Sequence, residues 1–215
     1  PLEGAAELRV EGRGDVLGGT FDLSLDVEGE GLAIGQEVAD RFLEGPVTIS
    51  AAARRDLEGT VLERFSLDST GLEATASGRV GGADGALTFD ATLADLGLIR
   101  DDLEGPLDVT GQATESAPGL WTGAVDIAGA YGLEGRIAGD VGLGEAAGES
   151  AVTLDVALPD IAPLVPALQG GVAVTGSAEE ARVGLWQVDL AIDAPAGARV
   201  AVEGLVGGEE SDVDL

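Results

Sequence analysis

Histidine and cysteine are both absent from this 215-residue chain, and so are lysine, asparagine and methionine. Without His or Cys there is no His-based triad, no thiol nucleophile, no ordinary zinc site and no disulfide. A Cys-free chain is compatible with an oxidising compartment. The 11 basic residues are all Arg and stand against 40 acidic ones, for a net charge of −29. Phosphate binding needs clustered positive charge, so this balance argues against nucleic acid as a partner. It also disfavours docking on anionic lipid headgroups. Aromatics make up only 3%, too few for sugar platforms or for filling a closed sandwich or propeller core. Long hydrophobic runs are missing too. The most apolar stretch, Ile161 to Leu168, is interrupted by Pro163 and Pro166 and is far shorter than the roughly 20 residues of a membrane span. No charged n-region of a signal peptide is present. Position 1 is not Met and the pattern starts midway, so the chain reads as a piece of a longer protein whose anchor or export signal lies elsewhere.

What is present is alternation. A hydrophobic content of 45%, ordered with a period of two, separates the chain from disordered acidic sequences. The 35 Gly fall mostly between strand-like runs and read as punctuation. Phe21-Asp22-Leu23-Ser24-Leu25-Asp26-Val27 alternates without error, as a strand with one apolar and one acidic face does. Ile34, Val38 and Phe42 follow at helical spacing, closed by Gly45 and Pro46. Val47 to Ala53 is the next strand, and Arg54-Arg55, the one basic doublet, is expected in a loop. Thr60 to Asp68 places Val61, Phe65 and Leu67 on one parity, Gly71 turns the chain, and Leu72, Ala74, Ala76 and Val80 form a small-residue face.

The plan then repeats. Leu43-Glu44-Gly45-Pro46 recurs as Leu103-Glu104-Gly105-Pro106 and more loosely as Leu168-Gln169-Gly170-Gly171, at steps of 60 and 65 residues. Gly71, Gly132 and Gly197 keep steps of 61 and 65, and Trp121 to Trp186 is 65. The short helical segment returns as Leu96, Ile99 and Leu103, and as Ile161, Leu164 and Leu168. About four strands and one helical turn in roughly 60–65 residues make one unit of a repeat array. Approximate bounds are 1–19 for the end of a preceding unit, 20–82, 83–144 and 145–208 for three units, and 209–215 for a tail. Phe21 to Leu87 is 66 residues where the junction steps 60, so the first helical connection is expected to be longer. The expected fold class is all-β: a repetitive, curled antiparallel sheet, open like a solenoid groove, with short helical turns between repeats.

Each unit contributes an aliphatic face, and these faces are the candidate binding surface. The first-strand residues are Phe21, Leu23 and Leu25, then Leu87, Phe89 and Leu93, then Val152, Leu154 and Val156. Val109, Val125, Ile127 and Ile137 come from later strands. A lining this poor in aromatics suits either a narrow dry core or an open trough. A C16 acyl chain taken out of water gains roughly 12 kcal/mol at about 0.8 per CH₂, so a continuous trough has a natural cargo.

The stretch Ala94-Asp95-Leu96-Gly97-Leu98-Ile99-Arg100-Asp101-Asp102-Leu103-Glu104-Gly105-Pro106-Leu107-Asp108-Val109-Thr110-Gly111, set after an alternating acidic strand, resembles the repeats of the TamB family. Leu154 to Leu164 and Gly71 to Val80 have the same character, so the resemblance covers nearly the whole chain, through degenerate motifs. The Arg-only, Ala- and Gly-rich composition suits a high-GC genome. TamB is the inner-membrane-anchored subunit of the translocation and assembly module, in the AsmA-like group. The resemblance implies a β-taco whose greasy trough bridges the periplasm of a Gram-negative bacterium. Its cargo would be phospholipid acyl chains, its companion an outer-membrane β-barrel of the BamA/TamA type reached through regions outside this chain, and its inner-membrane helix would also lie outside. No catalysis and no cofactor are implied.

Weaker signals read as chance or as surface. Arg13-Gly14-Asp15 spells an integrin-type tripeptide, and Gly81 to Gly85 is similar to a calcium-binding nonapeptide with its Asp misplaced. Asp101-Asp102 and Glu209-Glu210 are adjacent carboxylates of a kind expected among 40 acids. Trp121 and Trp186, at equivalent positions, point to packing. The competing architectures are an adhesive extracellular β-solenoid with a closed, dry core and an enzyme built on a β-helix.

Overall fold

The computed structural model of the chain describes residues 3–15, 18–33, 35, 37–81, 84–207 and 212–214. Among the described residues fourteen strands form an antiparallel meander in which spatial order is sequence order. This is the repetitive all-β sheet with few, short helical turns that the alternation predicts. Among the described residues the sheet is not closed: the first strand pairs with the second alone, and the last with the thirteenth alone. By internal packing the chain comprises two compact units, 1–112 and 113–215. They divide inside a strand, not at a repeat boundary.

In the first unit the strands are β1 (Glu3–Asp15), β2 (Thr20–Ala33), β3 (Pro46–Asp56), β4 (Gly59–Ser69), β5 (Leu72–Val80) and β6 (Ala86–Leu93). The first part of β7 (Leu107–Ala117) also belongs to it. The β2–β3 connection, residues 34–45, holds α1 (Glu37–Phe42), the one α-helix among the described residues, and the β6–β7 connection, residues 94–106, holds a 3-10 turn, Leu96–Leu98; the first helical connection is thus one residue shorter than the second, not longer as its spacing suggested. Ile34, expected in that helix, lies outside the described residues. The second unit continues with β8 (Leu120–Gly129), β9 (Leu133–Gly142), β10 (Ala151–Leu158), β11 (Val172–Arg182), β12 (Leu185–Ala194), β13 (Ala198–Gly207) and β14 (Asp212–Asp214).

The repeated junction is a backbone device. Gly45, Gly105 and Gly170 all take positive φ, at 90°, 93° and 109°, a region that side-chain-bearing residues avoid. Each carbonyl accepts an N–H from near the start of its own connection: Gly31, in the last residues of β2, to Gly45 at 3.0 Å, Leu96 to Gly105 at 2.7 Å and Ile161 to Gly170 at 3.0 Å. The loop is thereby pinched at its base, which fixes where the next strand starts. Asp95 supports the second copy by accepting from the N–H groups of Gly97 and Gly105 at 3.1 and 2.9 Å.

Three further expectations change. Glycines lie inside strands as well as between them: on the apolar face Gly12 stands opposite Leu23, Gly78 opposite Leu87, Gly139 opposite Val152 and Gly176 opposite Leu190. They clear space for the large neighbour. Gly71 has no left-handed turn role. A Cβ there would lie 2.4 Å from Leu98 Cδ1 and 3.7 Å from Phe42 Cδ1, so it makes room where two connections meet. Arg54 and Arg55 are in β3, not in a loop. Arg54 lies 3.9 Å from Glu63, while Arg55 is opposite Phe21 and Thr60.

Little is buried. Among the described residues Val47, Leu93 and Ala146 are the buried hydrophobics and Ser150 the buried polar side chain. The accessible surface is 13205 Å², where a globular protein of this size has about 9,100 Å². A closed, dry solenoid core needs a filled interior, and these values do not provide one. Stability instead comes from the backbone ladder and from half-buried side chains leaning along one face.

Candidate functional site

Register decides which residues share a face, because residues directly opposite in an antiparallel pair point the same way. In the first unit Val10, Leu25, Ala51 and Phe65 form one such row, continued by Ala76 and Phe89. In the second unit Val125, Ile137, Leu154, Gly176, Leu190 and Val202 form another, and Ile127, Gly135, Val156, Val174, Ile192 and Val200 lie beside it. Phe21, Leu23, Leu25, Leu87, Phe89 and Leu93 keep that parity in the first unit, and Val125, Ile127, Ile137, Val152, Leu154 and Val156 in the second; Val109 stands two residues along β7 from Gly111, which lies against the Phe89 ring.

Their exposure separates them. Leu23 and Phe89 are 43% and 37% exposed, and most of the others are half-buried by their neighbours. Leu93 is the exception. At 6% exposure it has no surface to offer a ligand and is a packing residue at the end of β6. The most open apolar-face side chains of the first unit are ones the pattern reading did not select, Leu8 at 62% and Val10 at 60%.

A second correction concerns β4. The strand carries a bulge between Leu62 and Phe65, seen from both neighbouring strands. Leu62 therefore joins Phe65 and Leu67 on the apolar face, opposite Ala53 and Gly78, while Val61 turns away to stand opposite Arg54 and Arg79. One extra residue inside a strand inverts parity beyond it.

The opposite face is polar and laddered. Arg13 donates to Asp22 at 3.2 Å, Ser50 to Asp26 at 2.9 Å and Thr92 to Asp108 at 2.8 Å. In the second unit Arg136 donates to Asp126, and Arg199 to Asp193 at 2.6 Å. The Arg199 guanidinium is held charged more firmly than usual by its hydrogen bond and proximity to Asp193. The adjacent carboxylates Asp101 and Asp102 are engaged separately, by Arg41 at 2.7 Å and Arg100 at 2.5 Å, so they do not form an acid–base couple. Arg13-Gly14-Asp15 is extended strand rather than a displayed loop.

At the hairpin ends the polarity changes. Trp121 stands opposite Val141, and Trp186 lies between Glu180 and Val206. Glu180 thus sits on the apolar parity. Its carboxylate accepts from the N–H of Gly184 at 2.9 Å, the Ser150 hydroxyl at 2.8 Å and the Gly148 N–H at 3.0 Å. These bonds, the Gly184 one foremost, hold its pKa below the ordinary glutamate value despite some desolvation. Asp56 is similar at the β3–β4 hairpin, held low chiefly by the Glu58 N–H, with Arg79 and the Gly59 N–H adding to it. Sequence reasoning missed Glu180, although the recurrence of Glu115-to-Gly119 spacing at Glu180-to-Gly184 was there to find it.

Among the described residues no three His, Cys, Asp or Glu side chains gather as a metal site, and no helix is long and apolar enough to cross a membrane. The site is therefore a surface: in each unit, a broad aliphatic face with little covering it. Set against family models, curated proteins and solved structures, the chain matches none.

Proposed function

We propose that this chain is a non-catalytic segment of an envelope scaffold of the TamB type, whose apolar strand faces shield lipid acyl chains in transit across the periplasm. The observation that carries the reading is the open aliphatic face. Leu23, Phe89 and Val200 remain over a third exposed on it, although burying such side chains is worth about 1.5–3 kcal/mol each. A large exposed apolar patch marks a surface that binds something. Aliphatic side chains, with glycines between them, fit flexible hydrocarbon and offer no directional hydrogen bonds to a headgroup. The acidic opposite face keeps the strand array soluble and repels anionic bilayer surfaces, so lipid is held by its chains. On this reading the segment lies between an inner-membrane anchor and a region that contacts an outer-membrane β-barrel partner, the anchor and that region both being other parts of the parent protein.

Leu154 and Asp155 are neighbours on β10 with opposite orientation and provide the test. A photo-crosslinking residue at Leu154 is expected to capture phospholipid in cells, and one at Asp155 is not. Equal capture at the two positions overturns the proposal.

A further inference from the structure

We propose that Arg55 is a headgroup-binding residue on the apolar face of the first unit: it takes the anionic group, phosphate or carboxylate, of an amphiphile whose hydrocarbon lies along β3. This rests on the acyl-shielding reading above and adds to it the charge class of the lipid. Register puts Arg55 in one row with Gly14, Phe21, Thr60 and Val80. Among the described residues of β1 to β6, beyond the irregularity at Glu3–Ala5, it is the one charged residue on the apolar parity. It is exposed. Its guanidinium makes one contact, a long 3.4 Å bond to the Thr60 hydroxyl, and no carboxylate among the described residues pairs with it. In a chain of 40 acidic residues and 11 Arg, it is a cation left without an anion.

The other copies of the repeat show what a charge at this position does when its role is structural. Arg55, Glu115 and Glu180 stand at steps of 60 and 65, as the junction glycines do. Glu115 and Glu180 each accept the N–H of the glycine four residues on, Gly119 at 2.8 Å and Gly184 at 2.9 Å, and so close their own hairpins. In the first copy that glycine is Gly59. Its N–H goes to Asp56 at 3.1 Å, beside the Glu58 N–H at 2.8 Å. Asp56 closes this turn, and Arg55 is released from the task. Along β3 the apolar parity then continues with Ala53 and Ala51. Leu23 and Leu62 flank the first, Leu25 and Phe65 the second, so a furrow floored by alanine leads away from the guanidinium. From Arg55 to Ile49 the strand runs about 20 Å, and Val47 beyond it is 1% exposed. A hydrocarbon chain laid in the furrow brings its charged end to a planar fork of donors that matches phosphate or carboxylate oxygens.

Amphiphiles of one chain length and different heads test the assignment, added to the full chain at low salt below their micelle concentrations. Dodecyl phosphate and neutral dodecyl maltoside are both expected to bind in calorimetry. Arg55→Gln should weaken dodecyl phosphate about three- to fivefold, the size of an exposed ion pair, and leave the maltoside within about twofold. The loss should fade as added salt screens the pair. Arg64→Gln is the matched control. Arg64 is exposed and lies opposite Ala52 on the polar face, and its loss should change neither affinity. Inorganic phosphate, which has the anion and no chain, should not displace dodecyl phosphate at equal concentration. Four results overturn the headgroup assignment and leave the acyl reading standing: unchanged phosphate affinity in Arg55→Gln, the same loss in Arg64→Gln, displacement by inorganic phosphate, or equal loss of both amphiphiles in Arg55→Gln, which would mark the aliphatic stem and not the charge as the contact. Failure of both amphiphiles to bind the parent chain overturns the acyl reading, and the assignment with it.

Discussion

Glu115 and Glu180, 65 residues apart, clasp their hairpins in the same way. Glu115 Oε1 accepts the Gly119 N–H at 2.8 Å and Glu180 Oε1 the Gly184 N–H at 2.9 Å. Both glycines sit at φ 76°, where a side chain is strained. Two residues beyond each lies a tryptophan, Trp121 and Trp186. Turn, clasp and aromatic recur as one unit, so the repeat is a repeat of hydrogen bonding and not only of hydrophobic pattern.

The Glu180 clasp has a pH dependence of definite sign. Its folded pKa lies below the ordinary glutamate value of 4.5. Such a group adds stability that is fully present above its unfolded pKa and is lost as pH falls through the folded one. Melting temperature is therefore expected to drop on acidification from neutral pH to below 4.5, with Asp56 acting in the same direction. In Glu180→Gln the drop should be smaller, because the variant has already lost the carboxylate at neutral pH. Paired melts at the two pH values decide it; an unchanged acid response in the variant removes the clasp from the account.

Phe89 and Gly111 form a size-complementary pair. A Cβ at Gly111 would lie 2.2 Å from Phe89 Cζ, so Gly111→Val forces the ring off its seat. Overpacking of this kind costs about 1–3 kcal/mol. Phe89→Ala should cost less than the roughly 3–5 kcal/mol of a fully buried phenylalanine, since its ring is 37% exposed. The double variant should be more stable than the sum of the singles predicts. Strict additivity in chemical denaturation would show that the ring does not rest on Gly111.

Phe89 and Asp90 also test the assignment of faces. Phe89 is paired with Ala76 and Asp90 with Thr75, on opposite sides of the sheet. Phe89→Asp puts a carboxylate among aliphatic neighbours and should lower both stability and uptake of a fluorescent fatty acid. Asp90→Ser, on the exposed polar face, should stay within about 0.5 kcal/mol of the parent. Equal losses from the two would refute the parity of β6.

How much of this was legible depended on how unambiguously each residue declares a face. β2, β6 and β10 alternate apolar and polar residues without interruption, so their parity and the lining from Phe21 to Val156 could be read directly. β4 could not. Val61 and Leu62 are both apolar, so either parity fits the end of the strand, and the bulge became visible only through its partners β3 and β5. Glycine has no side chain with which to declare a face, and Gly111 looks like punctuation until the Phe89 ring is placed above it. Leu93 reads as one more lining residue, since burial at the end of a strand depends on its connection and not on its pattern. Glu180 is one acid among 40, and nothing local distinguishes it from the solvated ones.

The β4 bulge makes the last prediction, and an unusual one, because it concerns a deletion. Ala52 pairs with Arg64 and Ala53 with Leu62, leaving Glu63 as the supernumerary residue. Removing Glu63 brings Leu62 and Arg64 into sequence, so Leu62 and Phe65 stay on the apolar face and Val61 and Arg64 on the polar face. Both neighbouring ladders then become regular. The cost is the extra local twist that a bulge provides and the 3.9 Å ion pair from Glu63 to Arg54, an exposed contact worth little. Deleting Ser24 from the middle of β2 is the contrast. There no bulge absorbs the loss, and one side of the deletion must turn its leucines to the acidic face. Loss of Glu63 should leave a cooperative melt within a few degrees of the parent, about 1 kcal/mol or less, and loss of Ser24 should abolish it. If the Glu63 deletion unfolds the chain as thoroughly as the Ser24 deletion, the bulge is a required bend in the sheet and not a tolerated insertion.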